Sequence, residues 1–249
     1  MPPLYFHLSV ANEAAKRIKN PEVRNNISSY LLGSTLPDIH LITDGRREMT
    51  HFFSLNKTPP FDSIRSLFHA HPELAKNSHL DDSSKASLAG YISHLITDEV
   101  WITDIYRPYF GSDSPLNSDP MANIMDRAFQ YELDCQERLN TKTIDEIKPL
   151  LCERLDIKVS FIDQANLMQW QDFICRLTER VPSWDGFISY AERFLLPLNK
   201  VSREPLENFL KDFPGMREKV HNLVPGEKMS EMKEKVIELS VKEAGDYLK

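Results

Sequence analysis

The stretch Gly90-Tyr91-Ile92-Ser93-His94-Leu95-Ile96-Thr97-Asp98-Glu99-Val100-Trp101 reads as the second half of a long helix. Leu88, Ile92, Leu95 and Ile96 recur at intervals of three and four, the spacing of one helical face, with Trp101 beyond them. Upstream, Asp81-Asp82-Ser83-Ser84 is a cluster of N-cap residues, so the helix is expected to open there and run to about Ile105. Pro108, Gly111 and Pro115 are expected to end it in a loop. His94 and Asp98 are four apart and so project from one face, where both can meet a common ion. Gly90, one turn earlier on that face, leaves room for another chain or a ligand. By itself such a pair says little, because a satisfied pair on a helix surface looks the same.

Toward the N-terminus the helical pattern continues. A helix is expected from about Leu8 to Lys19, with Ala11, Ala14, Ala15 and Ile18 facing inward. Pro21 suits the first turn of a second helix carrying Val23, Ile27, Tyr30 and Leu31, with Gly33 as its C-cap. Pro37 should hold Leu36 extended, so that Ser34 to His40 leaves the helix. Residues 41–60 read as a loop broken by Gly45, Pro59 and Pro60, and Asp62 as the cap of a short helix through Leu67. Beyond Pro115, helices are expected near 119–139, 143–155, 163–180, 183–196, 203–212 and 229–248, with Pro182, Pro214 and Pro225 as punctuation. In the last of these, Met229, Met232, Val236, Leu239 and Tyr247 form an apolar stripe that should face the protein's own core. The expectation is one all-α domain over residues 1–249, with metal-site helices in 1–105 and a helical part in 116–249.

Composition fits that class. Of 249 residues, 41% are hydrophobic and only 8 are glycine, ordinary for a globular helical chain large enough for a substantial core. The formal net charge of −7 argues against nucleic acid as the main partner. No apolar run is long enough to span a membrane. Met1-Pro2-Pro3-Leu4-Tyr5-Phe6-His7 lacks the basic and apolar regions of a signal peptide, so a cytoplasmic location is expected. Cys135, Cys152 and Cys175, an odd and widely spaced set, then read as reduced core thiols.

His94 and Asp98 do not stand alone. Asp38 follows a proline in an irregular segment, and His51 lies in Thr50-His51-Phe52-Phe53 between helices. His7 sits at the start of an Ala-rich helical face, where a polar ring makes poor packing. Zinc takes imidazole and carboxylate ligands and needs three or four of them to converge. All five candidates precede residue 100. Their order is an early His, then Gly-(x)n-Pro-Asp, then Thr-His-Phe, then Gly-Tyr-x-x-His-x-x-x-Asp.

Over about residues 1–105 this order resembles the zinc-dependent phospholipase C family, an all-helical fold related to zinc-dependent single-strand nucleases. The resemblance implies a multi-helix bundle of that phospholipase C/nuclease type. It implies that His51, His94 and Asp98 hold one zinc, and that His7 helps hold a second with Asp98 bridging. It also places Asp38 beside the metal-bound water, as general base or further ligand. Two departures matter. Secreted members use a processed N-terminal residue as a ligand, whereas six residues precede His7 here. They also carry a third zinc on two more histidines and a glutamate, with a His-x-x-x-Glu pair. After Asp98 this chain has only His221 and no such pair. Asp126, Glu132 and Asp134 are conceivable substitutes, although a solvated helix face is the plainer reading.

Other residues divide between site and surface. His40 could join the site or be a loop histidine. His69, His71 and His79 read as surface positions, and Glu99 as pointing outward, about 100° from Asp98 on the helix. Tyr91 and Trp101 read as core. Arg46 and Arg47 could bind substrate phosphate or belong to a solvated loop. The functional expectation is a zinc-dependent hydrolase with one or two ions, acting on a small phosphate ester or phospholipid headgroup. The alternative is a non-catalytic metal-binding module of the same fold.

Overall fold

The computed structural model describes residues 2–54, 62–111, 113–117, 119–180, 183–192, 196 and 202–249. Among them there are helices and turns and no strand, so the chain is all-α. Pro59, Pro60 and Pro182, expected as breakers, lie outside the described residues, as does part of the expected 183–196 helix.

The chain divides into two compact units that alternate along the sequence. One comprises His7–Glu99, Thr141–Arg180 and Glu234–Lys249 and holds all five expected site residues. Its elements begin with α1 (Leu4–Arg17), α2 (Pro21–Asn25) and α3 (Ile27–Gly33). Ala11, Ala14, Ala15 and Ile18 are all buried, as their spacing predicts. The expected second helix is split, because Asn20 caps α2 and Asn26 interrupts it before α3. A 3₁₀ turn, Leu36–Leu41, follows, so Leu36 is helical rather than extended. Pro37 lies in that turn's first positions, where its missing N–H costs nothing. The region expected as loop contains α4 (Glu48–His51); after it come α5 (Ser63–Ala70) and α6 (Pro72–Ala75).

The long helix α7 (Asp82–Trp101) is opened by Asp81, whose Oδ1 accepts from Ser84 N at 2.7 Å. Helix α3 packs on it backbone to backbone. A Cβ on Gly90 would stand 2.0 Å from Tyr30 O, and one on Gly33 2.0 Å from Ser87 O. The room expected at Gly90 is therefore taken by α3. Gly33 is no left-handed cap, since α3 ends on Ser34 in ordinary helical geometry; glycine is required there by the close approach.

Two further helices, α10 (Thr141–Cys152) and α11 (Gln164–Leu177), are joined by a Cys152–Cys175 disulfide, with Cα atoms 4.9 Å apart. The expectation of three reduced thiols is corrected: only Cys135 is free, and it is buried. Sequence spacing alone gives no sign that two cysteines 23 residues apart become neighbours. Trp170 of α11 donates to Thr35 Oγ1 at 2.9 Å, fixing the junction between α3 and the 3₁₀ turn. The part of the terminal helix α15 (Gly226–Tyr247) from Glu234 onward belongs to this unit and packs within it: Ser93 donates to Ser240 at 2.9 Å, and the Tyr247 ring stacks on Phe68.

The other unit comprises Met1–Phe6, Val100–Asn140 and Val181–Lys233. Beyond Trp101 the helix continues through a π-helical turn, Ile102–Tyr106, and one more turn, α8 (Arg107–Tyr109), so Pro108 does not end it at Ile105. Helices α9 (Ala122–Leu139), α12 (Asp185–Tyr190), α13 (Arg203–Lys211) and α14 (Phe213–His221) complete it. Pro214, expected as punctuation, lies in the first turn of α14, a helix the sequence pattern does not reveal. Tyr131, Trp184, Phe187, Phe209 and Phe213 pack as one aromatic cluster. Asp126, Glu132 and Asp134 are buried rather than solvated. Asp126 accepts from Gln130, Glu132 from Gln136 and Arg217, and Asp134 from Arg138.

Candidate metal centre

Four elements bring the expected site residues together. His7 comes from α1, Asp38 from the 3₁₀ turn, His51 from the last residue of α4, and His94 with Asp98 from α7. The three histidines and Asp98 are wholly or almost wholly buried, while the Asp38 side chain keeps 13% exposure. Two ligand groups result, His7 with His94 and Asp98, and Asp38 with His51 and His94, each with its atoms within 4.8 Å of one another.

Backbone carbonyls orient two of the rings. His94 Nδ1 faces Ser34 O at 2.8 Å, a contact that the α3–α7 approach at Gly90 makes possible. A carbonyl only accepts, so Nδ1 carries the hydrogen and Nε2 presents a lone pair to the site. His51 Nδ1 faces Arg47 O at 3.2 Å and is oriented in the same way. Tyr91 donates to Thr50 O, which pins α4 to α7. Phe52 then turns the chain away from His51 in the left-handed region at φ 59°, where a phenylalanine is strained.

The consequence is that His51 Nε2 and His94 Nε2 face each other at 3.3 Å with lone pairs on both. Only a shared proton or cation makes that approach favourable. Asp98 Oδ2 stands 3.3 Å from His51 Nε2 and 3.7 Å from His94 Nε2, and Asp38 Oδ1 stands 3.5 Å from His51 Nε2. Asp98 Oδ1 is 3.5 Å from His7 Nε2, so the carboxylate offers one oxygen to each side. Tetrahedral zinc ligands at about 2.0–2.1 Å stand roughly 3.4 Å apart. The observed separations match that figure.

A second observation tests whether the residues fit a metal. Asp98 Oδ1 and both ring nitrogens of His7 are buried without a hydrogen-bond partner. Unsatisfied buried polar atoms are costly, and native proteins carry few of them. A cation between them supplies the missing interaction, and the imidazole–carboxylate donor set suits zinc. The His7 ring also stacks on His94, with centroids 3.7 Å apart.

Electrostatics prepare the ligands. Burial, with His7 beside it, pushes His94 down to about 3, so its imidazole is neutral at ordinary pH. Burial pushes Asp98 up, but His94, His51 and His7 outweigh it and hold the carboxyl well below the usual range. Asp38 is likewise held low against burial, chiefly by His51. His51 is raised, because contacts to Asp38 and Asp98 outweigh its own burial.

The remaining candidates separate clearly. His40 lies beside the cluster, its ring 5.4 Å from that of His51, but its Nδ1 faces Pro37 O at 3.1 Å. His69 and His79 are exposed, and His71 stacks on Phe161. Glu99 turns away from the site and accepts from Ser63 N at 2.8 Å. Tyr91 and Trp101 are core residues. Asp126, Glu132 and Asp134 form no metal group among the described residues. Arg46 is exposed as a loop arginine should be, but Arg47 is half-buried, and its Nη2 lies 3.1 Å from Asp98 Oδ2. The sequence leaves Arg47 between two readings; its position four residues before His51 is the available signal.

This is an all-α protein with a buried His/Asp cluster that could hold a metal ion. Residues 6–101 match the family model described as zinc dependent phospholipase C, which supports that family for the segment carrying all five site residues. Zinc is the metal this family uses. No curated protein and no solved structure matches the chain.

Proposed function

We propose that the protein is a metal-dependent hydrolase of phosphate esters, a phospholipase C-like phosphodiesterase or phosphatase. The reading is carried by one observation: the lone pairs of His51 and His94, the orphaned His7 ring and both Asp98 oxygens converge at zinc-ligand spacing. His51, His94 and Asp98 would hold one ion, and His7 with the far oxygen of Asp98 a second. When bound, zinc lowers the pKa of a water toward neutrality and withdraws charge from a phosphoryl oxygen. Asp38 keeps some exposure, is ionised, and lies against His51, which suits it to take the proton of the attacking water. His7, His51, His94 and Asp98 have almost no exposure, which strengthens the charge interactions among them.

No third metal group forms among the described residues, since the family's further histidines are missing and Asp126 and Asp134 are paired elsewhere. Turnover of phospholipids is therefore expected to be weaker than the family resemblance suggests. That same observation favours the second reading, a metal-binding module without catalysis.

Elemental analysis of wild type and His94→Ala, purified without added metal, decides the first step. Zinc at one or two per chain, lost in the variant, supports the centre. Chelator-sensitive hydrolysis of p-nitrophenyl phosphate or its diester then supports the enzyme, while firmly bound zinc without turnover supports the module. Protein that takes up no zinc even on incubation overturns both.

A further inference from the structure

We infer that Arg47 is the anion-binding group of the metal centre and competes with a bound cation for Asp98, so that metal and a phosphate-type oxyanion bind with positive coupling. The inference rests on the metal reading above and adds the group that recognises the substrate's charge.

Arg47 acts on the cluster through two different parts. Its backbone carbonyl accepts from His51 N at 2.9 Å and orients His51 Nδ1 at 3.2 Å. Its guanidinium reaches Asp98 Oδ2 at 3.1 Å and lies over the Phe53 ring, with Cζ 4.6 Å from the centroid. The side chain is 15% exposed, so it borders solvent while contacting a carboxylate that has no exposure at all.

Charge balance links the two ligands. Among the groups of fixed charge, the Asp38 and Asp98 carboxylates stand against one guanidinium, that of Arg47. Asp98 Oδ2 faces His51 Nε2, His94 Nε2 and Arg47 Nη2 together. A dication held on the two imidazoles draws on that same oxygen, and it repels the guanidinium at short range in a poorly screened site. The site then carries net positive charge, and Arg47 has lost part of its counter-charge. An oxyanion restores the balance, and a planar guanidinium fork matches phosphate geometry. Coupling of this kind is reciprocal, so phosphate must tighten metal as much as metal tightens phosphate.

The test measures zinc affinity by competition with a fluorescent chelator in phosphate-free buffer. Inorganic phosphate affinity is measured by calorimetry with and without zinc. Wild type, Arg47→Ala and Arg47→Lys are compared after circular dichroism confirms folding. Arg47→Ala keeps the carbonyl that orients His51, so any change belongs to the side chain. It should bind zinc about tenfold more tightly, ~1.4 kcal/mol, and bind phosphate at least tenfold more weakly. Arg47→Lys, which keeps the charge without the fork, should hold zinc as wild type does and recover part of the phosphate affinity. In wild type, phosphate should bind at least tenfold more tightly once zinc is loaded. Should Arg47→Ala fail to fold, that wild-type coupling and Arg47→Lys decide. Unchanged or weakened zinc binding in Arg47→Ala, or phosphate affinity indifferent to zinc or to Arg47, overturns the inference and leaves the metal reading standing. Wild type that takes up no zinc overturns both.

Discussion

The two oxygens of Asp98 face different partners, Oδ1 toward His7 and Oδ2 toward His51, His94 and Arg47. Replacing it therefore removes an oxygen from both sides of the cluster at once, whereas Asp38 contacts only His51 and lies at the more exposed edge. The proposed roles predict different outcomes for the two. Asp98→Asn should lose zinc, because an amide oxygen is a far weaker ligand and its NH₂ opposes two lone pairs. Asp38→Asn should keep most of the zinc and lose turnover by about 10²–10⁴-fold, the usual contribution of a positioned base. Equal loss of metal in both variants would remove Asp38 from the base role. At this scale the sequence is informative where ligand types recur at helical spacing, as with His94 and Asp98. It is silent about Arg47, because a neighbour in the fold, Asp98, decides whether that arginine is solvated.

At the scale of elements, the site depends on how closely α3 lies against α7. Gly90 has Tyr30 O where a Cβ would go and Ser34 N at 2.9 Å, in the same residue whose carbonyl orients His94. Gly90→Ala cannot be absorbed by a flexible side chain, since the obstruction is backbone. It should destabilise the protein by about 2–4 kcal/mol, at the upper end of overpacking costs, and weaken zinc binding by separating Ser34 from His94. Gly245→Ala in α15 is the control: nothing lies within 4 Å of its Cβ. It should raise stability by up to about 1 kcal/mol through helix propensity alone. Melting curves and zinc titrations of the pair check both; a Gly90→Ala protein as stable as wild type would mean that the close packing is not required. The long helices are legible in the sequence because apolar periodicity and caps act locally. The short α4 and the 3₁₀ turn are not, since a single turn held by tertiary contacts carries too few residues to show a period.

For the whole molecule, the cysteines offer a test independent of the metal. Cys152 and Cys175 close a loop between α10 and α11, a pairing that three-dimensional proximity alone reveals. Cys135 is buried, and burial, aided by Asp134, pushes its thiol up to about 11. It is therefore protonated and shielded at ordinary pH. Thiolate is the reactive form, so labelling should stay slow from about pH 7 to 9 in the native protein. Denatured without reductant, the chain should yield one thiol; denatured after reduction, it should yield three. Reduction should also remove the loop constraint, worth about 3 kcal/mol for a loop of this length. A chain of this size then loses on the order of 10 °C of melting temperature. Because α11 holds Thr35 through Trp170, next to the residue that orients His94, the loss should be accompanied by weaker zinc binding. Three reactive thiols in the unreduced, denatured protein would restore the reduced reading of the sequence, and the α10–α11 pair would then rest on packing alone.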